Sequence, residues 1–167
     1  MSPQADPSEP FGRLTATLDY PMYVVTASSG GERAGCLVGF ATQSSIKPPL
    51  RFVVCISRKN HTFRVAAGAD HLAVHAIPAD RGDIAELFGS RTGDEVDKFA
   101  QCRWEAGPGG TALLTDCPSR FVGRVVGRFD GGDHEGVVLE VTEAWAGDGA
   151  RPLTFQQVKD LEPGHNA

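Results

Sequence analysis

Short apolar runs, separated by glycine, proline and small polar residues, dominate the pattern along the chain. Runs rich in β-branched and aromatic residues between such turn residues are typical of β-strands. The pattern predicts about six strands, over residues 21–27, 34–43, 50–57, 71–77, 120–129 and 134–145. The Ser-Ser-Gly-Gly stretch at 28–31 predicts that the first two strands form a hairpin.

Three short helices are predicted between the strands. Asn60 is a suitable N-cap for a helix over 61–67, and Asp80 for a helix that runs to Phe88. Residues 92–95 (Thr-Gly-Asp-Glu) match a capping box and predict a third helix, to about residue 102. Strands this closely spaced do not alternate with helices as βαβ units do, so the pattern predicts a mainly β fold with short helices, a small antiparallel β-barrel with helices at its rim.

The length and composition favour one domain with its own core. The chain has 167 residues, of which 41% are hydrophobic, and its 20 glycines and 11 prolines agree with many turns. The polar, proline-rich residues 1–10 predict a flexible N-terminal segment, and residues 11–160 a single domain.

The charge is unevenly distributed. The net charge of −5 argues against a general nucleic-acid binder. From Arg33 to Ala69 there is no acidic residue, and six bases give this acid-free window +6, which leaves −11 for the rest of the chain. One-signed charge of this kind favours a local anion site, although an ordinary basic surface explains it equally well.

The sequence also carries signals about the compartment. No apolar run approaches the ~20 residues of a membrane span, and no secretory signal is visible at the N-terminus. The four cysteines are scattered without paired spacing, which is typical of reduced thiols in a cytoplasmic protein and predicts no metal site. We therefore expect a cytoplasmic protein with no membrane association.

The stretch 57–62 follows a predicted strand and begins a predicted helix. Ser57, Asn60 and Thr62 offer hydrogen-bonding groups and Lys59 offers charge, which together favour a phosphate site. The alternative is helix capping alone, because Asn60 serves the helix whether or not a ligand binds.

Two further stretches offer polar groups at predicted strand ends. Thr42, Gln43, Ser44 and Ser45 precede a rigid Pro-Pro pair, where they can hydrogen-bond a polar ring edge or a phosphate, or simply end a strand. His134 follows a glycine turn and opens a strand, so it is either a ligand-contacting group or an exposed turn histidine.

Motifs of common catalytic machinery are missing from the sequence. There is no GxGxxG or Walker loop and no GxSxG nucleophile elbow. Without such groups, chemistry supplied by a cofactor is the most economical interpretation.

Several short motifs follow one another along the chain. They are Val24-Val25-Thr26, Arg33-Ala34-Gly35, Ser45-x-x-Pro48-Pro49, Cys55, Thr62, the helix Ala85–Phe88, Asp97-Lys98-Phe99 with Trp104, and Gly132-Asp133-His134. In the order of these motifs, over roughly residues 11–155, the chain resembles the flavin reductase-like family, the FMN-binding split barrels.

The resemblance implies a split β-barrel homodimer that binds FMN or FAD and uses NADH or NADPH as hydride donor, often supplying a monooxygenase partner with reduced flavin. Carried over to this sequence, it implies flavin contacts from Thr42, Gln43, Ser44 and Ser45. On the ribityl-phosphate side it implies Cys55, Ser57, Lys59, Asn60 and Thr62. It places His134 near the nicotinamide.

The sequence departs from the family in two places. Where relatives commonly carry a polar Thr-x-Asn-Ser stretch, this chain has Leu37-Val38-Gly39-Phe40, which leaves only backbone groups to bind a flavin there. Gln156-Gln157-Val158-Lys159 replaces an aromatic and basic ending. The leading hypothesis is an NAD(P)H:flavin oxidoreductase; the alternatives are a flavin-binding protein without reductase turnover and a split-barrel binder of another ligand, such as a deazaflavin or haem.

Overall fold

Nine strands and four α-helices make up the described part of the chain. The structure, a computed structural model, describes residues 3–90, 96–149 and 151–161. The helices are α1 (Ser8–Ala16), α2 (His61–Ala66), α3 (Gly82–Gly89) and α4 (Phe155–Val158). The strands are β1 (Tyr23–Ser29), β2 (Glu32–Val38), β3 (Ala41–Gln43), β4 (Arg51–Ser57), β5 (His71–Ala76), β6 (Trp104–Ala106), β7 (Ala112–Leu114), β8 (Arg120–Asp130) and β9 (His134–Trp145).

Seven of the strands form one antiparallel sheet in the order β2-β1-β5-β8-β9-β4-β3, and β6 and β7 form a separate hairpin. The sheet curls, so that β2 and β4 contact each other although four strands separate them in the sheet order. The curled sheet with few short helices confirms the predicted split β-barrel. The edge strands β2 and β3 do not pair with each other, so the barrel is not closed by strand pairing on this side.

The core lies on both faces of the sheet, which is why β1 reads as a continuous apolar run. Val25 belongs to a cluster with Val54, Leu72 and Leu139, whereas its neighbour Val24 packs in a second cluster on the other face. The second cluster includes Phe88 of α3. Successive side chains of a strand point to opposite faces, so both sides of β1 are covered.

The predicted strand over 34–43 is wrong as a single element. Its first part is β2, which pairs with β1 as the hairpin prediction requires. The chain then turns at Gly39, whose carbonyl accepts from the Ala41 N–H at 3.1 Å, and β3 pairs instead with β4. A pattern of apolar residues does not show that the chain changes its pairing partner within the run.

The helix predictions have mixed outcomes. Asn60 caps α2 as expected. Asp80 does not cap α3. That helix begins at Gly82, so its N-cap position is Arg81, and no side chain of the described residues caps it. The capping box at 92–95 lies outside the described residues, and the stretch 96–102 contains a 3₁₀ turn at Lys98–Ala100 rather than an α-helix. Helical structure also begins at Ser8, inside the segment 1–10 that we predicted to be flexible.

Candidate functional site

A cavity of about 410 Å³ lies at the opening of the barrel. Its walls come from the end of β2 and the following turn (residues 36–40), the end of β4, the end of α3, the start of β9, and the tail that contains α4. A volume in the range of roughly 300–1,000 Å³ with mostly apolar walls is typical of small-molecule sites. The cavity is therefore the candidate binding site.

Ser57 and His134 bring the polar groups of this cavity together. They are direct partners in the antiparallel pairing of β4 with β9, and both line the cavity. The Ser57 side chain is buried, and its hydroxyl has no hydrogen-bond partner among the described residues. A buried polar atom without a partner is costly, so this hydroxyl is suited to bind a ligand in the cavity.

Arg58 fastens the turn before His134 to the end of β4. Its backbone N–H donates to the Asp133 carbonyl at 3.0 Å, and its Nε donates to the Gly132 carbonyl at 3.0 Å. Its guanidinium also pairs with Asp130 at 3.0 Å. Because these bonds hold residues 130–134 against the end of β4, the stretch 57–62 and the turn before His134 lie side by side.

Asn60 performs the capping role that the sequence indicated. Its Oδ1 accepts from the Thr62 N–H at 2.9 Å, and Asn60 also lines the cavity. Thr62 is buried and does not line the cavity. Lys59 is exposed beside Asn60 and makes no ion pair among the described residues, so its charge is available to an anion.

Cys55 lines the cavity, but it has no sign of a reactive thiolate. Partial burial raises the pKa of its thiol, and full burial raises the pKa of Cys36 to about 11. A thiol nucleophile needs a lowered pKa, so these cysteines serve as walls of the cavity.

The structure does not bring the predicted stretch Thr42–Ser45 into the cavity. Thr42, Gln43 and Ser44 are exposed, and the Gln43 side-chain amide donates to the Ser45 carbonyl at 2.8 Å. The Ser45 hydroxyl donates to the Pro49 carbonyl at 2.9 Å and accepts from the Arg51 N–H at 2.7 Å. These polar groups shape the loop that contains the cis Pro48–Pro49 bond, and their role in flavin binding stays a prediction.

Lys98 is a cavity residue to which we assigned no role from the sequence. Its side chain is only 4% exposed, and its Nζ donates to the carbonyls of Phe88 at 3.0 Å and Gly35 at 3.2 Å. Burial lowers the pKa of this amine. Lysine is almost never fully buried, so nothing in the local sequence distinguishes it from a surface cation.

The tail supplies another wall that sequence reasoning missed. Phe155 stacks on Tyr20 with ring centroids 4.9 Å apart, and both line the cavity. The Gln156 side chain fastens the tail by donating to the carbonyls of Ala16 and Leu18. The contact between Tyr20 and Phe155 joins positions about 135 residues apart along the chain, which a local pattern does not reveal.

The acid-free window is not an acid-free surface. Arg58 pairs with Asp130, Arg51 lies 3.6 Å from Glu140, and the Arg33 guanidinium stacks 3.9 Å from the Trp104 ring centroid. Two of the six bases, Arg51 and Arg58, are therefore paired with acidic residues from later in the chain, and Arg33 is held against an aromatic ring. Within the described ranges, no group of three metal-ligating side chains is found, and no helix is long and apolar enough to cross a bilayer.

Residues 15–162 match the sequence model of the family described as the flavin reductase like domain. The chain belongs to this family. The family resemblance seen in the sequence is thereby confirmed.

Two curated relatives are similar over most of this chain. The FMN reductase (NADH) RutF of Methylorubrum extorquens is 31% identical over 136 residues, which cover 81% of this chain and 65% of that protein. The reductase component of 4-nitrophenol 4-monooxygenase/4-nitrocatechol 2-monooxygenase of Rhodococcus opacus is 29% identical over 79% of this chain and 68% of that protein. The chain thus spans about two thirds of the length of these relatives.

Solved structures share the fold. The NADH:FAD oxidoreductase SgcE6 of Streptomyces globisporus superimposes with a TM-score of 0.81, 20% identity and 92% coverage of both chains. An FMN-binding protein of Thermus thermophilus superimposes with a TM-score of 0.74 and 25% identity, covering 81% of this chain and 78% of that one. The predicted architecture is confirmed by these matches.

Proposed function

We propose that this protein is an NAD(P)H-dependent flavin oxidoreductase that binds FMN or FAD in the cavity at the barrel opening. The observation that carries the proposal is that Ser57, whose buried hydroxyl has no partner among the described residues, pairs with His134 between β4 and β9 and lines that cavity together with it. The names of the curated relatives, FMN reductase (NADH) and a monooxygenase reductase component, support the same activity.

The residues of the cavity suit a flavin. The apolar walls from Leu37, Val38 and Ile56 match a flat ring system, and the Ser57 hydroxyl, which has no partner in the described part of the chain, offers a hydrogen-bonding group for its polar chain. Lys59 lies beside the cavity residues Ser57 and Asn60, with its charge unpaired among the described residues. Ser57 and Lys59 would therefore hold the ribityl-phosphate side, as the sequence hypothesis requires.

A bound flavin supplies an acceptor, at its N5 atom, for the hydride that the nicotinamide C4 atom gives up. The chain's own residues bind and orient. Ser57 and Lys59 set the position of the polar chain, while Met22, Leu37 and Phe88 exclude water from one end of the cavity. His134, held at 2.6 Å from the Asp133 carboxylate and paired with Ser57, would position the nicotinamide.

The activity is tested by adding FMN or FAD to the purified protein and following NADH and NADPH oxidation by absorbance. We expect flavin-dependent oxidation of at least one nicotinamide. No oxidation of either nicotinamide with either flavin contradicts the reductase activity.

The apolar stretch Leu37–Phe40 favours a second candidate, a flavin-binding protein without reductase turnover. Those residues line the cavity, and Leu37, Val38 and Phe40 offer no polar side-chain groups to it. This candidate requires a tightly bound flavin and a yellow preparation with negligible NAD(P)H oxidation. The same experiment therefore separates the two candidates.

We also propose that the protein is a cytoplasmic homodimer. Ile46 and Leu50, which lie on either side of the cis Pro48–Pro49 bond in one loop, are 88% and 42% exposed, and two large apolar side chains exposed in one loop support a covered surface there. The free cysteines suit a reducing compartment. Light scattering coupled to size exclusion tests the dimer, and Ile46→Glu is expected to shift it towards monomer.

The third proposal is that a flavin-dependent monooxygenase receives the reduced flavin. Its support is the Rhodococcus opacus relative, which is named as the reductase component of a monooxygenase. The test is whether the protein, with flavin and NAD(P)H, sustains substrate hydroxylation by such a monooxygenase. Failure to sustain turnover despite flavin reduction contradicts this proposal.

A further inference from the structure

The Phe40 ring lies at the mouth of the cavity and is 56% exposed. A single exposed apolar side chain is common and by itself needs no explanation. Phe40 differs because its ring also packs against the His134 ring, with centroids 5.2 Å apart and planes inclined at 56°. The rings of Phe40 and His134 thus lie together at the rim of the binding site, and the Phe40 ring is largely exposed.

The backbone holds Phe40 in this place. Its carbonyl accepts from the Cys55 N–H at 2.8 Å, which ties the turn to β4. Gly39 permits the turn to pack closely, since a Cβ there would lie 2.8 Å from a carbon of the Tyr20 ring. The exposure of the ring is therefore built into the turn and does not result from a loose loop.

Contacts with Asp133 and Ser57 hold His134 in place. Its Nδ1 lies 2.6 Å from the Asp133 carboxylate, and its backbone pairs with Ser57. The Phe40 ring packs against the imidazole that these contacts fix. Together Phe40 and His134 form one preorganised aromatic edge beside the cavity.

We propose that Phe40 is a positioning residue for the hydride donor and that, with His134, it forms an aromatic platform for the nicotinamide ring. The proposal rests on the proposed reductase function. An exposed aromatic face gains free energy when a flat ring covers it, both from lost contact with water and from ring packing. Preorganisation of the platform reduces the ordering cost of the bound donor.

The test compares Phe40→Ala, Phe40→Leu and Phe40→Tyr with the unmodified protein. We expect Phe40→Ala to raise both the KM for NADH and the Kd for NAD⁺, measured by calorimetry on FMN-loaded protein, about 3- to 10-fold. Phe40→Leu keeps apolar volume but not the ring, so we expect the same defect. Phe40→Tyr keeps the ring and is expected to restore both constants to within about twofold.

Phe129→Ala is the matched control. Phe129 is a similarly exposed phenylalanine, 46% accessible, and does not line the cavity. We expect it to leave the KM for NADH and the Kd for NAD⁺ unchanged. The FMN Kd, measured by quenching of flavin fluorescence, is expected to stay within about twofold in all Phe40 variants.

Several results would overturn the platform. An unchanged NAD⁺ Kd in Phe40→Ala removes its basis, and a larger effect on FMN affinity than on NAD⁺ affinity makes Phe40 a flavin contact. An unchanged KM for NADH and Kd for NAD⁺ in Phe40→Leu would show that the apolar volume of Phe40 matters and its ring does not. If the unmodified protein oxidises no NAD(P)H, the proposed reductase fails, whereas the NAD⁺ Kd of the variants still decides the platform.

Discussion

Ser57 and His134 lie directly opposite each other, the last residue of β4 against the first residue of β9. In the sequence they are 77 positions apart, yet both line the same cavity. Because the hydroxyl of Ser57 lacks a partner among the described residues, this pair offers the cavity a free hydrogen-bonding group beside an imidazole.

Ser57→Ala is expected to weaken flavin binding without destabilising the fold. The hydroxyl makes no hydrogen bond within the described protein, so its removal costs no internal bond, whereas one bond to the ligand is lost. We expect the flavin Kd, measured by fluorescence quenching, to rise roughly 2- to 10-fold while the Tm stays the same or rises. Ser28→Ala is the control, since its buried hydroxyl also lacks a partner among the described residues but does not line the cavity. Equal flavin affinities of Ser57→Ala and Ser28→Ala would show that Ser57 does not bind the flavin.

Lys59→Glu is expected to weaken flavin binding by repelling the phosphate, and to leave the fold intact because the side chain is exposed. We expect the flavin Kd to rise about tenfold at low ionic strength, with a smaller effect as salt increases. Arg151→Glu, the same reversal of charge at another exposed position, serves as the control. An unchanged Kd in Lys59→Glu would reject the phosphate assignment.

His134→Ala is expected to raise the KM for NADH roughly tenfold and to affect the flavin Kd much less, because the imidazole is assigned to the nicotinamide. Asp133→Asn is expected to shift the same constants in the same direction but less, since Asp133 only orients the ring. Steady-state kinetics and flavin titration of both variants check this. The opposite pattern, with flavin affinity most affected, would assign His134 to the flavin.

His75 predicts a pH dependence of stability that is independent of the cavity. The ring is fully buried, with Nδ1 2.9 Å from the Val24 carbonyl oxygen and Nε2 accepting from the Leu114 N–H, and burial lowers its pKa from 6.5 to about 4. Between these two values the unfolded chain binds a proton that the folded chain does not, so stability falls as the pH is lowered from 6.5 to 4. The shift corresponds to a loss of about 3 kcal/mol.

The measurement is the free energy of unfolding by denaturant at several pH values. Compared with the unmodified protein, His75→Gln is expected to be less stable at pH 7.5 but to lose less stability between pH 6.5 and pH 4. Parallel pH profiles of the two proteins would show that His75 is not responsible.

Local signals in the sequence predicted much of the sheet and the start of α2. The runs that became β4, β5, β8 and β9 are apolar and bounded by turn residues, and Asn60 is a strong cap, so short-range chemistry is sufficient for these elements. The run 34–43 failed because the chain turns at Gly39 and pairs with a different strand. Pairing partners are chosen by the closure of the sheet, which a local pattern does not contain.

The candidate site shows the same division. Cys55, Ser57, Asn60 and His134, which the family resemblance assigned to ligand contacts, line the cavity, and their contacts with a flavin or nicotinamide stay predictions. Lys59 lies next to them without lining the cavity, and the side chains of Thr42–Ser45 instead shape the loop before β4. A polar residue near a strand end can either bind a ligand or satisfy its own backbone, and the sequence does not distinguish these roles.

The sequence by itself determined the fold class, the family and the stretches that carry polar groups, because strand patterns, caps and motif order are local properties of the chain. Only the tertiary structure decided which of those groups meet. The curl of the sheet places Ser57 against His134, buries Lys98, adds Phe40 and the tail to the cavity wall, and pairs Arg58 with Asp130. Those contacts join residues distant along the chain, so the sequence window without acidic residues is not acid-free in space: Arg51 and Arg58 are paired with acidic residues, whereas Lys59 makes no ion pair among the described residues.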